Sequence, residues 1–372
     1  MKTIDYSIRD ASSIITPALC VYKDAVESNI IKMIEMAGRP DRLRPHCKTH
    51  KMPEVIKLLL KHGVTKHKAA TFAEAEMLAE AGVYDIFLAY NLVGPNIERA
   101  VQFVRRYPSI KFAVTADHAM PVRSLSAAMG KAGLTIEVLL DLDTGQHRTG
   151  IEIGDAALEL YRLLVELPGL EAGGFHVYDG HQHQESLTDR SAAVLAEWNQ
   201  VITFRDRCES TELPVPRMIA GGTVSFPVYA ELDEPTLECS PGTCVFHDVG
   251  YGERYADLDF TAAAVLLTRV ISLPTSNRVT LDLGSKAVAS DPPASERVTF
   301  PALPNVEQVL QNEEHLVLQF DEASRLVPGD ELIAIPSHIC PTSALHKYVY
   351  VIEDGKLTDQ WEVVARDRQL TI

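Results

Sequence analysis

From about residue 17 to residue 250, short apolar runs alternate with stretches whose apolar positions recur at helical spacing. Leu19-Cys20-Val21-Tyr22 reads as a first strand and residues 24–37 as a helix. Thr71-Phe72-Ala73-Glu74 has the form of a capping box opening a second helix. Strands follow at residues 86–90, 112–114, 134–142, 170–177 and 218–220. Helical patterns lie between them at 95–104, 120–131, 156–165 and 191–208. A repeated β-then-α unit predicts a parallel sheet. About eight such units close most economically into a (β/α)8 TIM-type barrel. An open doubly wound sheet is the alternative, but no GxGxxG opens any of the helices.

Beyond residue 255 the period changes to that of strands. Apolar alternation at 261–272, 278–283, 315–320, 331–335 and 348–352 is broken by the turn signals Pro274-Thr275-Ser276-Asn277, Pro328-Gly329-Asp330 and Asp354-Gly355. The pattern predicts a C-terminal antiparallel β domain. The division expected is a barrel over 17–255 and a β-rich domain over 256–372, joined by residues 1–16. Residues 292–304 form a Pro-rich loop within it.

A chain of 372 residues, 46% hydrophobic, can bury the core of one large and one smaller domain. The net charge of −16 argues against a nucleic-acid surface. No run approaches the roughly 18 apolar residues of a membrane span. The N-terminus is polar and mixed in charge, unlike a signal peptide, so a cytoplasmic location is expected. The six cysteines contain no CxxC pair and read as free thiols.

Several segments carry candidate chemistry. In Arg44-Pro45-His46-Cys47-Lys48-Thr49-His50-Lys51, a lysine precedes the helical pattern at 53–62, where a barrel displays reactive side chains. A lysine so placed can lose its proton and form a Schiff base. Asp141-Leu142-Asp143-Thr144-Gly145-Gln146-His147-Arg148 follows a strand. Tyr178-Asp179-Gly180-His181-Gln182-His183 is either a polar loop or, by its His-x-His spacing, a metal pair; we read Tyr178 and His181 as lining the site mouth. Ala220-Gly221-Gly222-Thr223 is a turn whose backbone N–H groups and hydroxyl suit a phosphate. His338-Ile339-Cys340, if extended, turns imidazole and thiol to one face, a pair suited to Zn2+. The same pair also arises by chance from a histidine and a buried cysteine.

The lysine segment and the terminal His-x-Cys resemble those of the D-threonine aldolase/D-serine dehydratase family, pyridoxal-phosphate (PLP) enzymes of the alanine-racemase fold type. The resemblance runs from Thr16-Pro17-Ala18-Leu19 to the His338 region. It implies PLP on Lys48, Arg148 at the cofactor's phenolic oxygen, and Tyr178 and His181 at cofactor or substrate. Phosphate would lie on Gly221, Gly222 and Thr223, with Ser240 and Gly242 in a second turn. Where the family often has Gly-Thr-Gly this chain has Gly222-Thr223-Val224. His338 and Cys340 would hold a divalent metal, Zn2+ in preference to Mn2+. His-x-Cys is the dehydratase-like form, while many aldolases have His-x-Asp. The resemblance therefore implies a lyase acting on a D-3-hydroxy amino acid, with dehydration preferred and retro-aldol cleavage as the alternative. An amino-acid racemase is the third reading. A homodimer is expected on the same ground.

Overall fold

The computed structural model describes residues 4–9, 11–368 and 371. The chain forms two compact units. One comprises Met33–Lys48, Ile56–Gly242 and the segment from Asp367. The other comprises the described residues up to Lys32, Thr49–Val55 and Thr243–Arg366.

The first unit is a parallel sheet in the order Lys66–Ala69, Asp85–Asn91, Lys111–Ala116, Ile136–Asp143, Leu170–Val177, Met218–Ala220 and Leu237–Cys239. The two-residue strand Ile151–Glu152 adds to Ile136–Asp143. Helices Phe72–Glu80, Pro95–Arg106, Ala119–Ala132, Asp155–Glu166 and Leu187–Ser210 connect the strands. Thr71 caps the first of these, its hydroxyl accepting from the Glu74 N–H as the capping box predicts. Phe87, Ala113, Leu139 and Ile219 pack in the core.

Residues 43–46 join the two edges of this sheet. Leu43 bridges Cys239 and His46 bridges Lys68, both in parallel sense. The N–H groups of Arg44 and His46 donate to the carbonyls of Cys239 and Pro241, and Lys68 N–H donates to Pro45 O. Eight parallel segments thus close the expected (β/α)8 barrel. Its first strand is residues 43–46, not 19–22. Ala18–Tyr22 pairs instead with Ala264–Thr275 and Tyr348–Glu353 in the other unit. All five of its residues are buried, and a buried apolar run does not tell which sheet it joins. Residues 43–46 escaped the pattern because only Leu43 is apolar. Pro45, lacking an N–H, contributes only its carbonyl.

Charged residues near the starts of the barrel strands form a continuous chain of ion pairs. Arg44, 0% exposed, holds Glu238 through Nε at 2.5 Å and Asp85 through Nη1 at 2.7 Å. Glu238 also takes Lys66 at 2.7 Å. Asp85 reaches Arg217 at 3.9 Å, which pairs with Glu137 at 2.8 Å, and Glu137 reaches Lys111 at 3.7 Å.

The second unit is a largely antiparallel sheet. Its order is Glu307–Gln311, Leu316–Gln319, Arg278–Leu281, Ala264–Thr275, Ala18–Tyr22, Tyr348–Glu353 and Lys356–Glu362. Glu331–Pro336 pairs with Ala264–Thr275 and with Val298–Thr299. The Pro-rich loop therefore carries a short strand. The pairing of Ala18–Tyr22 with Tyr348–Glu353 is parallel. Among the described residues, no helix is long and apolar enough to cross a membrane.

Removing Arg44 would leave Glu238 with Lys66 and Asp85 with the more distant Arg217 as their remaining cations. Arg44→Ala is expected to lower unfolding free energy by roughly 3–5 kcal/mol, measured by chemical denaturation. Burial raises the Glu238 carboxyl, but Arg44 and Lys66 outweigh it and hold it at about 2 against 4.5. Its contribution is therefore complete above about pH 4.5 and declines as pH falls toward about 2. That decline should be smaller in the variant, where Lys66 still lowers Glu238 but Arg44 does not.

Candidate active site

The barrel unit gathers three cations around one aromatic ring. Lys48 lies in the 3-10 turn Cys47–Thr49, directly after residues 43–46. Its Nζ stands 5.8 Å from the Tyr178 ring centroid. Arg148, after the strand Ile136–Asp143, places its guanidinium carbon 4.8 Å from the same centroid. Lys68, from the strand Lys66–Ala69, places Nζ at 5.7 Å. The sequence singles out Lys48, Arg148 and Tyr178 but not Lys68.

Glycines let the backbone close in on Tyr178. A Cβ on Gly222 would lie 3.1 Å from Tyr178 Cε2, and one on Gly180 would fall 2.5 Å from Cε1. Gly221 has φ +78°, a conformation open to glycine at little cost. The two turns expected to cup a phosphate are tied together, since Gly242 N–H donates to Thr223 Oγ1 at 3.2 Å. Gly222 N–H donates to Ser225 Oγ at 3.1 Å, and that hydroxyl donates to Asp179 at 2.8 Å. Ser240 is buried, and its hydroxyl donates to Arg44 O.

His181 turns to Glu197, 2.8 Å from its Nε2. Gln182 also donates to Glu197. His176, not singled out by the sequence, shares a buried 2.6 Å hydrogen bond with Asp141. Burial and then the Lys68 charge lower its pKa, against the pull of Asp141. Burial raises Asp179 to about 6 despite the Ser225 hydrogen bond.

Behind Lys48, donor atoms of His46, Cys47 and Glu74 lie within 4.8 Å of one another, all buried. Glu74 accepts from the Ala70 N–H at 2.6 Å and faces Cys47 Sγ at 3.7 Å. Lys48 N–H donates to His46 Nδ1 at 3.3 Å. These contacts brace the turn that carries Lys48.

In the β-rich unit, His338 and Cys340 come together, though not as an extended segment. His338 is the N-cap of the helix Ile339–Leu345, and Cys340 lies in its first turn. Pro341 is tolerated there because first-turn N–H groups have no partner within the helix. Asp248 supplies the missing acceptor: its carboxylate takes the Ile339 N–H at 3.0 Å and, through its other oxygen, the Tyr251 N–H at 3.1 Å. A cap from 91 positions away leaves no local trace in the sequence.

Asp291 lies 2.5 Å from His338 Nδ1. A carboxylate on one ring nitrogen orients the other toward a metal. Burial lowers the His338 pKa, but Cys340 and Asp291 outweigh it and raise it to about 9. Burial raises the Cys340 thiol, but hydrogen bonds from His338, Thr243 and Thr49 reverse the direction. The two hydroxyls stand 3.5 and 3.1 Å from Sγ. A lowered thiol beside an oriented imidazole is the donor chemistry a borderline-soft cation requires. His315, by contrast, is exposed in the hairpin turn before Leu316–Gln319.

Cys340 differs from the other cysteines, all of which are buried. Burial pushes Cys20 and Cys239 up to about 12 and Cys208 to about 11. In chelator-treated protein, limiting iodoacetamide near neutral pH should label Cys340 first, as read by peptide mass spectrometry. Preferential labelling of any other cysteine would contradict the lowering of the Cys340 thiol.

The alanine racemase N-terminal domain model matches residues 21–247, and a serine dehydratase domain model matches residues 263–352. A D-threonine aldolase from an Arthrobacter species is 30% identical over 94% of this chain and 92% of its own length. A D-threo-3-hydroxyaspartate dehydratase from Delftia sp. (strain HT23) is 27% identical over 93% and 96%. The crystal structure of D-threonine aldolase from Filomicrobium marinum superposes with TM-score 0.89 at 27% identity, covering 97% of this chain and 98% of that one. The chain belongs to the alanine racemase N-terminal domain family, among the fold-type III PLP lyases that carry a serine dehydratase-type β domain.

Proposed function

We propose that this protein is a PLP- and metal-dependent lyase that dehydrates D-3-hydroxy amino acids of the D-serine, D-threonine or D-3-hydroxyaspartate type, releasing ammonia and a 2-oxo acid. The observation that carries the reading is Cys340, a thiol lowered by its hydrogen bonds and set beside an imidazole already oriented by Asp291. This donor pair favours Zn2+ over the harder Mn2+.

The barrel cluster fits the cofactor on the chemistry of its donors. Among the described residues, Lys48, Lys68 and Arg148 form no salt bridge with a carboxylate, so positive charge converges where an anionic ligand would neutralise it. Lys48 would hold the cofactor and, as a free amine, move the α-proton. Arg148 is a permanent cation suited to the phenolic oxygen. Tyr178 would pack against the ring, and Gly221, Gly222, Thr223 and Gly242 would surround the phosphate. Bound PLP supplies an electron sink for charge left at Cα, and the metal a Lewis acid toward the 3-hydroxyl. His338 and Cys340 would hold that metal. The family resemblance makes a homodimer part of the proposal, and the N-terminal composition a cytoplasmic location.

The second reading is a D-threonine aldolase, cleaving Cα–Cβ to glycine and an aldehyde. It is favoured by the 30% identical Arthrobacter enzyme. Both reactions draw on the same electron sink, so the fold does not choose between them.

Product analysis on D-threonine, with PLP and Zn2+ or Mn2+ supplied, should give 2-oxobutyrate and ammonia. Glycine and acetaldehyde would establish the aldolase instead. Lys48→Ala should lose both the visible cofactor band and the borohydride-fixed adduct. An adduct retained in that variant would refute the lysine assignment. Cys340→Ala should keep PLP but lose bound metal and most activity, and full activity after chelation would remove the metal from the mechanism.

A further inference from the structure

Of the three cations around Tyr178, Lys68 is the one to which the proposed function assigns no role of its own. Its strand borders residues 43–46, and Lys68 itself bridges His46, so it enters the barrel beside the turn that carries Lys48. The residue is 4% exposed. Its Nζ lies as close to the Tyr178 ring as Lys48 does, 5.7 against 5.8 Å. Among the described residues it makes no ion pair and no side-chain hydrogen bond. A buried amine with two cations for neighbours and no bonded acceptor is unfavourable unless a ligand supplies the acceptor.

We propose that Lys68 is an anion-binding residue of the cofactor pocket, its ammonium meeting a ring oxygen or a phosphate oxygen of pyridoxal phosphate together with Lys48 and Arg148. The inference rests on the cofactor reading above and extends it to a residue that neither the sequence motifs nor the comparisons assign.

The groups facing Lys68 make this binding dependent on pH. Burial, then the Lys48 charge and Arg148, lower it to about 7, while Asp141 and Asp179 pull the other way. His176 and the Tyr178 ring face it as well. An anion stabilises the ammonium, so ligand binding takes up a proton near neutral pH. This contribution to affinity is full below about pH 7 and declines as pH rises above it.

The test is titration of cofactor-free protein with pyridoxal phosphate over about pH 6 to 9, comparing wild type with Lys68→Met and Lys68→Arg. Binding is read by absorbance and by the mass of the borohydride-fixed adduct. Lys68→Met should bind at least about tenfold more weakly at low pH. The difference from wild type should shrink as pH rises. Lys68→Arg should restore affinity without that dependence, because guanidinium does not titrate in this range. A parallel titration with pyridoxal locates the contact: an equal loss puts it on the ring, and a loss confined to the phosphate ester puts it on the phosphate. If Lys68→Met does not fold, Lys68→Gln against Lys68→Arg makes the same comparison. Unchanged affinity and pH profile in the neutral variants would overturn the inference alone. A wild type that forms no reducible adduct would overturn the cofactor reading and this inference with it.

Discussion

The barrel unit depends on how residues 43–46 are held. This segment has one apolar residue and a proline, and it forms isolated bridges rather than a full ladder. All four residues are buried, and three backbone hydrogen bonds tie them to the flanking strands. The Arg44 guanidinium does the rest, reaching Glu238 on one neighbouring strand and Asp85 two strands away on the other side. The fork geometry of arginine suits this, because one side chain can meet two carboxylates at fixed angles. A barrel that closes through its least regular strand needs such a tie, and closure sets where Lys48, four residues on, can stand.

The belt of charge that Arg44 anchors lies near the starts of the strands, and the residues that bear chemistry lie at the other end. Lys66 pairs with Glu238 at one end of its short strand, while Lys68, two residues on, faces Tyr178. This division follows from barrel geometry, in which one end of the sheet is free to serve stability and the other carries the loops. The buried charges at the start are matched carboxylate to cation. Those around Tyr178 are not, and the contrast within one unit distinguishes a structural network from a binding one.

Much of this could be read from the sequence, and what could not has identifiable causes. The helices between strands and the capping box at Thr71 follow from local periodicity and local hydrogen bonding, so they were legible. The motif singles out Lys48, which the structure sets beside Tyr178. Residues 43–46 were not, because a strand held by arginine and a proline carbonyl has no period-2 pattern. Ala18–Tyr22 was recognised as a strand but placed in the wrong sheet, since its partners lie some 240 and 330 positions away. The helix at Ile339–Leu345 was hidden because its cap, Asp248, is distant in the chain. Lys68 was hidden because a polar strand residue looks solvated until its neighbours are known.

The chain carries a formal charge of −16, yet the proposed cofactor is an anion. These facts are compatible because charge acts over different ranges. At physiological ionic strength, screening reduces exposed charges beyond about 8 Å to a weak background. The surface excess therefore bears little on a ligand inside the barrel. There the nearest groups decide, and around Tyr178 they include two amines and a guanidinium. Near His338 the local balance has the opposite sign: the Asp291 and Asp248 carboxyls outnumber the single imidazole, and the Cys340 thiol beside it is lowered. One cluster is arranged to attract an anion and the other a cation. The lyase proposed above would need two such environments, one for PLP and one for a divalent metal, and neither can be inferred from the net charge.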